Sequence, residues 1–62
     1  MTYQVNFTDG TKEYIHDVLF VKIETSEFYN KGYEYLTFKT SDYFGGCSYN
    51  LSDVLNFTAI TD

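Results

Sequence analysis

The sequence predicts an all-β protein, a small antiparallel barrel of five or six strands formed by one domain over residues 1–62. Three observations predict this class. Apolar residues recur at every second position in several short stretches, which is the period of a strand with one buried face. Turn-forming residues separate these stretches at intervals of about 8 to 12 residues. Proline is absent, as expected where nearly all strands are paired.

Residues 18–25 form the stretch around which we expect the other strands to pack. This is the longest run dominated by β-branched and large apolar residues. Leu19, Val21 and Ile23 fall on one face because strand side chains alternate, and we expect that face to contact the core. A chain of 62 residues has room for only one such centre.

The first hairpin is predicted from residues 2–16. Residues 2–8 alternate, with Tyr3, Val5 and Phe7 on one face, and Asp9-Gly10 predicts a two-residue type I′ turn. The returning strand runs from residue 11 to about residue 16. A helix over residues 11–19 also fits the apolar spacing, but it would end inside a β-branched run without a Gly or Pro.

Three further strands complete the predicted sheet. Residues 33–40 place Leu36 and Phe38 inward and pair with residues 18–25 across a long loop. Residues 47–51 alternate next, and residues 54–60 form the last strand. Ser52 is suited to cap one helical turn over residues 53–55. A longer helix over residues 52–57 is the alternative.

The end of the chain resembles that of SH3-like small barrels. A strand reaching Tyr49, then Leu51-Ser52-Asp53-Val54, then a terminal strand carries this resemblance. In such barrels a single 3₁₀ turn separates the last two strands. The order of the elements is also similar to that of small barrel proteins encoded by phages of Gram-positive bacteria. The resemblance implies an SH3-like barrel with one short 3₁₀ turn before the last strand.

The charge balance excludes several classes of partner. Nine acidic residues oppose four lysines, arginine is absent, and the net charge is −5. Direct nucleic-acid binding and binding to an anionic membrane both need a basic surface. The acidic balance instead favours attraction to a basic surface on another protein. The sequence has neither an apolar span nor a signal peptide, so we expect a cytoplasmic protein, in the host cell if it is phage-encoded.

Neither catalysis nor metal binding is predicted. His16, Asp17 and Cys47 are residue types that a nucleophilic site uses, but their spacing specifies no such site. Asp9, Glu13 and Asp17 recur at every fourth position, which aligns side chains on a helix but spreads them along a strand. We expect no enzyme activity, no metal and no cofactor.

A combination of acidic and aromatic residues between positions 24 and 44 predicts the partner-binding site. Rigid aromatic anchors surrounded by carboxylates suit docking on a basic patch. The predicted residues are Glu24, Glu27, Tyr29, Tyr33, Glu34, Tyr35, Asp42 and Tyr43. The alternative interpretation has no partner: the tyrosines shield a thin sheet from water, and the acidic residues keep the protein soluble. A platform for stacking single-stranded nucleic acid lacks the electropositive groove it needs.

The functional expectation is a non-enzymatic binding module that blocks a basic, nucleic-acid-binding surface of a host protein. In size and charge it resembles phage-encoded inhibitors of host defence systems, with anti-CRISPR proteins as the nearest type. The alternative is a structural or assembly protein that forms a homo-oligomer through sheet edges and aromatic surface.

Overall fold

The computed structural model describes residues 1–26, 33–43 and 45–61, and its regular elements are six strands and one 3₁₀ turn. In chain order they are β1 (Thr2–Phe7), β2 (Lys12–Ile15), β3 (Val18–Ser26), β4 (Tyr33–Thr40), β5 (Gly46–Asn50), the 3₁₀ turn (Leu51–Asp53) and β6 (Val54–Thr61). The all-β class is confirmed, and a 3₁₀ turn precedes the last strand. A helix was the alternative prediction for residues 11–19 and for residues 52–57, and neither stretch forms an α-helix.

The strands form two antiparallel sheets. Sheet A has the order β2-β1-β6 and sheet B the order β3-β4-β5. The described strands are therefore not closed into the single barrel that the sequence predicts, because the chain leaves one sheet for the other at two corners. Asp17 has a left-handed backbone (φ 58°) at the corner between β2 and β3. The 3₁₀ turn forms the corner between β5 and β6.

Backbone hydrogen bonds connect the two sheets at these corners. The Val18 N–H donates to the carbonyl of Met1 over 2.8 Å, next to the start of β1. The Thr8 N–H, just after the end of β1, donates to the carbonyl of Asp53 over 2.9 Å. Strand β1 is therefore attached at both ends to the segments that lead into or out of sheet B.

The first hairpin has a different turn from the predicted type I′. The Gly10 N–H donates to the Phe7 carbonyl over 3.1 Å, so Thr8 and Asp9 are the central residues of the turn. Gly10 follows with φ 90°, while Asp9 is not among the described residues with positive φ. This is the three-residue hairpin in which a type I turn precedes a left-handed glycine. The Asp9 side chain supports this turn, since it accepts hydrogen bonds from the N–H and the hydroxyl of Thr11.

The core is organised on β4. Its Phe38 and Leu36 are fully buried, and the predicted inward orientation of both is confirmed. The Phe38 ring makes T-shaped contacts with Tyr3 of β1 and Phe57 of β6, with centroids 5.5 and 5.9 Å apart. Such contacts add about 0.5 to 1.5 kcal/mol each beyond the burial of area. Val5, Ile15 and Val18 complete the buried apolar cluster.

Strand β3 is not the centre that the sequence predicts. It lies at the edge of sheet B, so only β4 pairs with it. Leu19 is 64% exposed because a register shift against β4 leaves it as the extra residue of a bulge. Ile23 does face inward, directly opposite Leu36, but it stays 55% exposed because none of the described strands pairs with the other edge of β3.

The end of the chain differs in one detail from the prediction. Asn50 precedes the 3₁₀ turn and makes no capping hydrogen bond with its side chain. Ser52 lies inside the turn, so the prediction that it caps the turn is wrong. Strand β6 has two register shifts against β1, and the exposed Leu55 and Ile60 lie at these irregularities. Bulges turn side chains out of the regular alternation, which places both apolar residues in solvent.

Candidate functional site

Three of the predicted partner-binding residues share the outer face of sheet B. Glu24 lies directly opposite Tyr35 in the β3–β4 register. The Tyr33 and Tyr35 rings lie side by side on β4, with centroids 5.7 Å apart. The structure therefore brings together part of the predicted combination of aromatic and acidic side chains.

This face is not negatively charged. The Lys22 ammonium lies 2.7 Å from the Glu24 carboxylate, and both side chains are half-exposed. Hydrogen bonding to Lys22, then its positive charge, and also the Thr37 hydroxyl lower the pKa of Glu24. Lys39 occupies the same outer face of β4. Lys22 therefore neutralises the carboxylate that the sequence predicts to attract a basic partner here, and Lys39 adds a second positive charge to the face.

Asp42 and Tyr43 lie at the opposite end of β4 from Tyr33. The strand has eight residues, which separates its ends by about 23 Å at about 3.3 Å per residue. Asp42 accepts hydrogen bonds from the buried Thr40 hydroxyl (2.8 Å) and the Gly45 N–H (3.0 Å). Its carboxylate therefore organises the β4–β5 loop. Tyr43 is 97% exposed in that loop.

Glu27 and Tyr29, the two remaining predictions in the loop after β3, lie outside the described residues. Glu34 is described, and strand alternation places it on the opposite face of β4 from Tyr35. With Tyr33, Leu51 and Ser52 it lines a cavity of about 370 Å³ beside the 3₁₀ turn. The predicted eight residues therefore do not form one continuous surface among the parts of the chain that are described.

A second cavity, of about 350 Å³, adjoins the 3₁₀ turn. It is lined by carboxylates from residues that are far apart in the sequence. Its lining includes Asp9, Asp53 and the Tyr49 ring. Asp9 accepts hydrogen bonds from the Thr11 hydroxyl (2.6 Å) and the Thr11 N–H (2.9 Å). These bonds, led by that of the hydroxyl, lower the pKa of Asp9 and hold its carboxylate ionised.

Tyr49 connects this cavity to a third carboxylate. Its hydroxyl donates a hydrogen bond to Glu13 of β2 and accepts one from the Cys47 thiol over 3.7 Å. Burial, followed by the bond to Glu13 and by Cys47, raises the pKa of Tyr49 far above its ordinary value. The phenol therefore stays protonated and keeps donating to the carboxylate. The half-buried Cys47 takes part in this bond, as suits a small partly buried residue.

We name this region the turn-end acidic surface. It comprises the carboxylates of Asp9, Glu13, Glu34 and Asp53, the residues Tyr33 and Tyr49, and the 3₁₀ turn that lines both cavities. None of the described residues that line either cavity is a lysine. Sequence reasoning found Tyr33 and Glu34 but missed the rest, because Asp9, Glu13 and Asp53 come from three different strands or turns. The only local signal was the spacing of Asp9 and Glu13, which was considered only for metal binding.

The side chains considered for other chemistry have structural partners. His16, at the corner between the sheets, shares a hydrogen bond with the Thr2 hydroxyl over 3.2 Å. The Cys47 thiol donates a hydrogen bond to the Tyr49 hydroxyl, as described above. No group of three or more His, Cys, Asp or Glu residues that could hold a metal ion occurs among the described residues.

Comparisons with known proteins place no further limit on the function. No protein-family model matches the chain, and neither the curated proteins nor the solved structures include a match. Within the described ranges there is no helix with the length and hydrophobicity needed to cross a membrane.

Proposed function

We propose that this protein is a non-enzymatic binding module that occupies a basic, nucleic-acid-binding surface of a partner protein. The observation that supports the proposal is the turn-end acidic surface. Three carboxylates line two cavities that have no lysine among their described lining residues, and a fourth, Glu13, accepts a hydrogen bond from Tyr49 beside them. The chain as a whole has a net charge of −5, so its long-range field attracts a basic partner.

The geometry of this surface suits protein recognition. Asp9 is held in place by Thr11, and Glu13 by the Tyr49 hydroxyl, so two carboxylates are ordered before a partner arrives. Preorganised groups lose less conformational entropy on binding than mobile ones. Tyr33, at the end of β4, supplies apolar contact area with a polar edge, which is typical of interface anchors. Carboxylates beside such a ring can replace the phosphates that a basic surface normally binds.

The order of the strands supports a closer description of the fold. We propose that the two sheets are an opened SH3-like barrel, in which β2 and β3 are the halves of one bent strand. The chain passes from β2 to β3 through only two residues, and the 3₁₀ turn interrupts the passage from β5 to β6 in the same way. On this view the biological role is that of a small phage-encoded inhibitor, acting on a defence enzyme in the host cytoplasm as anti-CRISPR proteins do.

The experiment measures binding of a fluorescent oligolysine peptide by anisotropy, at a protein concentration where light scattering gives the monomer mass. Affinity is expected to fall steeply as NaCl rises from about 50 to 500 mM, because the Debye length shrinks to a few ångströms. Glu34→Gln and Asp53→Asn should each weaken binding by up to about fivefold, which corresponds to about 1 kcal/mol for an exposed pair.

Glu24→Gln is the matched control, since it removes the same charge from a carboxylate that Lys22 already neutralises. Equal losses for all three variants, or affinity independent of salt, would show that the turn-end acidic surface is not the binding site. In a companion experiment the immobilised protein is exposed to host lysate and then washed with duplex DNA. Capture of basic proteins that DNA releases supports the proposal, whereas retention of acidic proteins alone contradicts it.

A second candidate is a structural or assembly role through self-association. The observation that favours it is the apolar surface of the two edge strands β3 and β6. Six of the exposed large apolar side chains lie on these strands: Leu19, Phe20, Ile23, Leu55, Phe57 and Ile60. A small domain that leaves so much apolar surface in water gains free energy when another molecule covers it.

A further inference from the structure

Strand β3 offers an open edge to another strand. Among the described strands this nine-residue strand pairs only with β4, and on its other edge the described backbone bonds include only that of Val18 to Met1. An open strand edge presents a row of unpaired N–H and C=O groups, which pairs readily with a second chain. Natural edge strands are usually protected by proline or by several charges. In β3 the charged residues are Lys22 and Glu24, and they neutralise each other.

The apolar area on β3 predicts a small interface. The exposed fractions of Leu19, Phe20 and Ile23 add up to less than two whole residues, or roughly 340 Å² at about 200 Å² each. Two copies that cover this area bury roughly 700 Å² of apolar surface, which is typical of weak association.

The charges of β3 select one register for pairing with a second copy. In an antiparallel pair related by a two-fold axis, the residue on the axis lies opposite its own copy. An axis at Lys22 places two ammonium groups opposite each other, and an axis at Glu24 places two carboxylates opposite each other. An axis at Ile23 places each Lys22 opposite the partner's Glu24. Opposite charges in directly facing positions stabilise a sheet, and like charges destabilise it.

The same axis also pairs apolar with apolar surface. Ile23 faces the inner side of sheet B and is 55% exposed, so it meets its own copy on the axis. Ile23 therefore contributes an apolar contact at the centre of the pair.

We propose that β3 pairs antiparallel with β3 of a second copy of this chain, with the two-fold axis at Ile23 and reciprocal ion pairs between Lys22 and the partner's Glu24. This inference rests on the second candidate function, self-association, and specifies its interface. The product is a six-stranded sheet running through both protomers. Its small area predicts a dimer that forms in a concentration-dependent manner.

The first test locates the interface by cross-linking. The protein carries Cys47→Ser, which removes the single native thiol, together with Ile23→Cys. A short bismaleimide is added, and each thiol adds across the double bond of one maleimide ring, forming a carbon–sulfur bond while its proton goes to the neighbouring carbon. We expect Ile23→Cys to give covalent dimers. Thr58→Cys, at an exposed position on the outer face of β6, is the control that should stay monomeric.

The second test addresses the register through charge. Lys22→Glu should weaken dimerisation about tenfold or more, because two carboxylates then face each other in each of two pairs. The double variant Lys22→Glu/Glu24→Lys should restore the wild-type dissociation constant. The readout is the mass from light scattering as a function of concentration, and urea unfolding of each monomer shows whether folding has changed.

The outcomes separate the inference from the function on which it rests. Dimers that Ile23→Cys does not trap, or that the charge swap does not restore, overturn the β3 interface while self-association survives. A monomer at every concentration overturns both. Trapping at Ile23→Cys but not at Thr58→Cys, with loss and rescue in the charge variants, supports the proposed interface.

Discussion

Leu36 and Ile23 lie directly opposite each other on neighbouring strands, and they provide a sharp test of which strand carries the core. The perturbation is truncation of each to alanine. Leu36 on β4 has no exposed surface, whereas Ile23 on β3 is 55% exposed. The two side chains have the same number of carbon atoms, so the comparison isolates the effect of their surroundings.

The expected magnitudes follow from these exposures. Leu36→Ala leaves a cavity inside the core and should lower the free energy of unfolding by about 2 to 5 kcal/mol. Ile23→Ala removes a side chain that is less than half covered, and water fills the space. Its cost should be about 1 kcal/mol, or roughly half the value of full burial. A domain of this size has only about 3 to 9 kcal/mol of stability in total.

The assay is urea unfolding followed by far-UV circular dichroism and tyrosine fluorescence, since the chain contains no tryptophan. It is carried out at a concentration where the protein is monomeric, so that covering of Ile23 by a second copy does not contribute. If Leu36→Ala lacks a folded baseline, both variants are compared in trimethylamine N-oxide, which favours the compact state. Equal losses for the two variants, or a larger loss for Ile23→Ala, would refute the assignment of β4 as the central strand.

Two further predictions concern single contacts. The raised pKa of Tyr49 means that the unfolded chain releases this proton first, so stability should fall as the pH rises past about 10. Tyr49→Phe should remove that part of the loss of stability at alkaline pH. If the difference in the free energy of unfolding between the two proteins does not change from about pH 9 to 11, that result would speak against the bond to Glu13. Gly46→Ala should destabilise more than Gly10→Ala in urea unfolding. A Cβ at Gly46 clashes with the Phe38 carbonyl oxygen, while Gly10 (φ 90°) has open space and loses only about 1 to 2 kcal/mol to backbone strain. The reverse order would contradict the close approach of β5 to β4.

Much of the fold was predictable because strand alternation is a local property of the backbone. The inward faces of β1 and β4 follow from the spacing of Val5, Leu36 and Phe38, and all three are buried. The bulge at Leu19 was not predictable in this way. It depends on how β3 aligns with β4 across a loop, and a shift of one residue there exposes a side chain that the pattern places in the core.

The candidate site was predictable only in part. Tyr33 and Glu34 are adjacent in the sequence, so their shared position at the end of β4 could be anticipated. Asp9 and Asp53 line one cavity because the Thr8 N–H donates a hydrogen bond to the Asp53 carbonyl in the 3₁₀ turn. Glu24, in contrast, was predicted to belong to the site but does not add negative charge to it. Its partner Lys22 lies two residues away on the same face of β3 and cancels its charge.

The sequence by itself determined the all-β class, the inward faces of the regular strands and the acidic balance. These follow from composition and from side-chain alternation, which need no knowledge of distant residues. The tertiary structure alone decided that β4 is central and β3 is an edge, and which carboxylates lie together. Burial and electrostatic fields depend on distances between residues far apart in the chain, and strand pairing sets those distances.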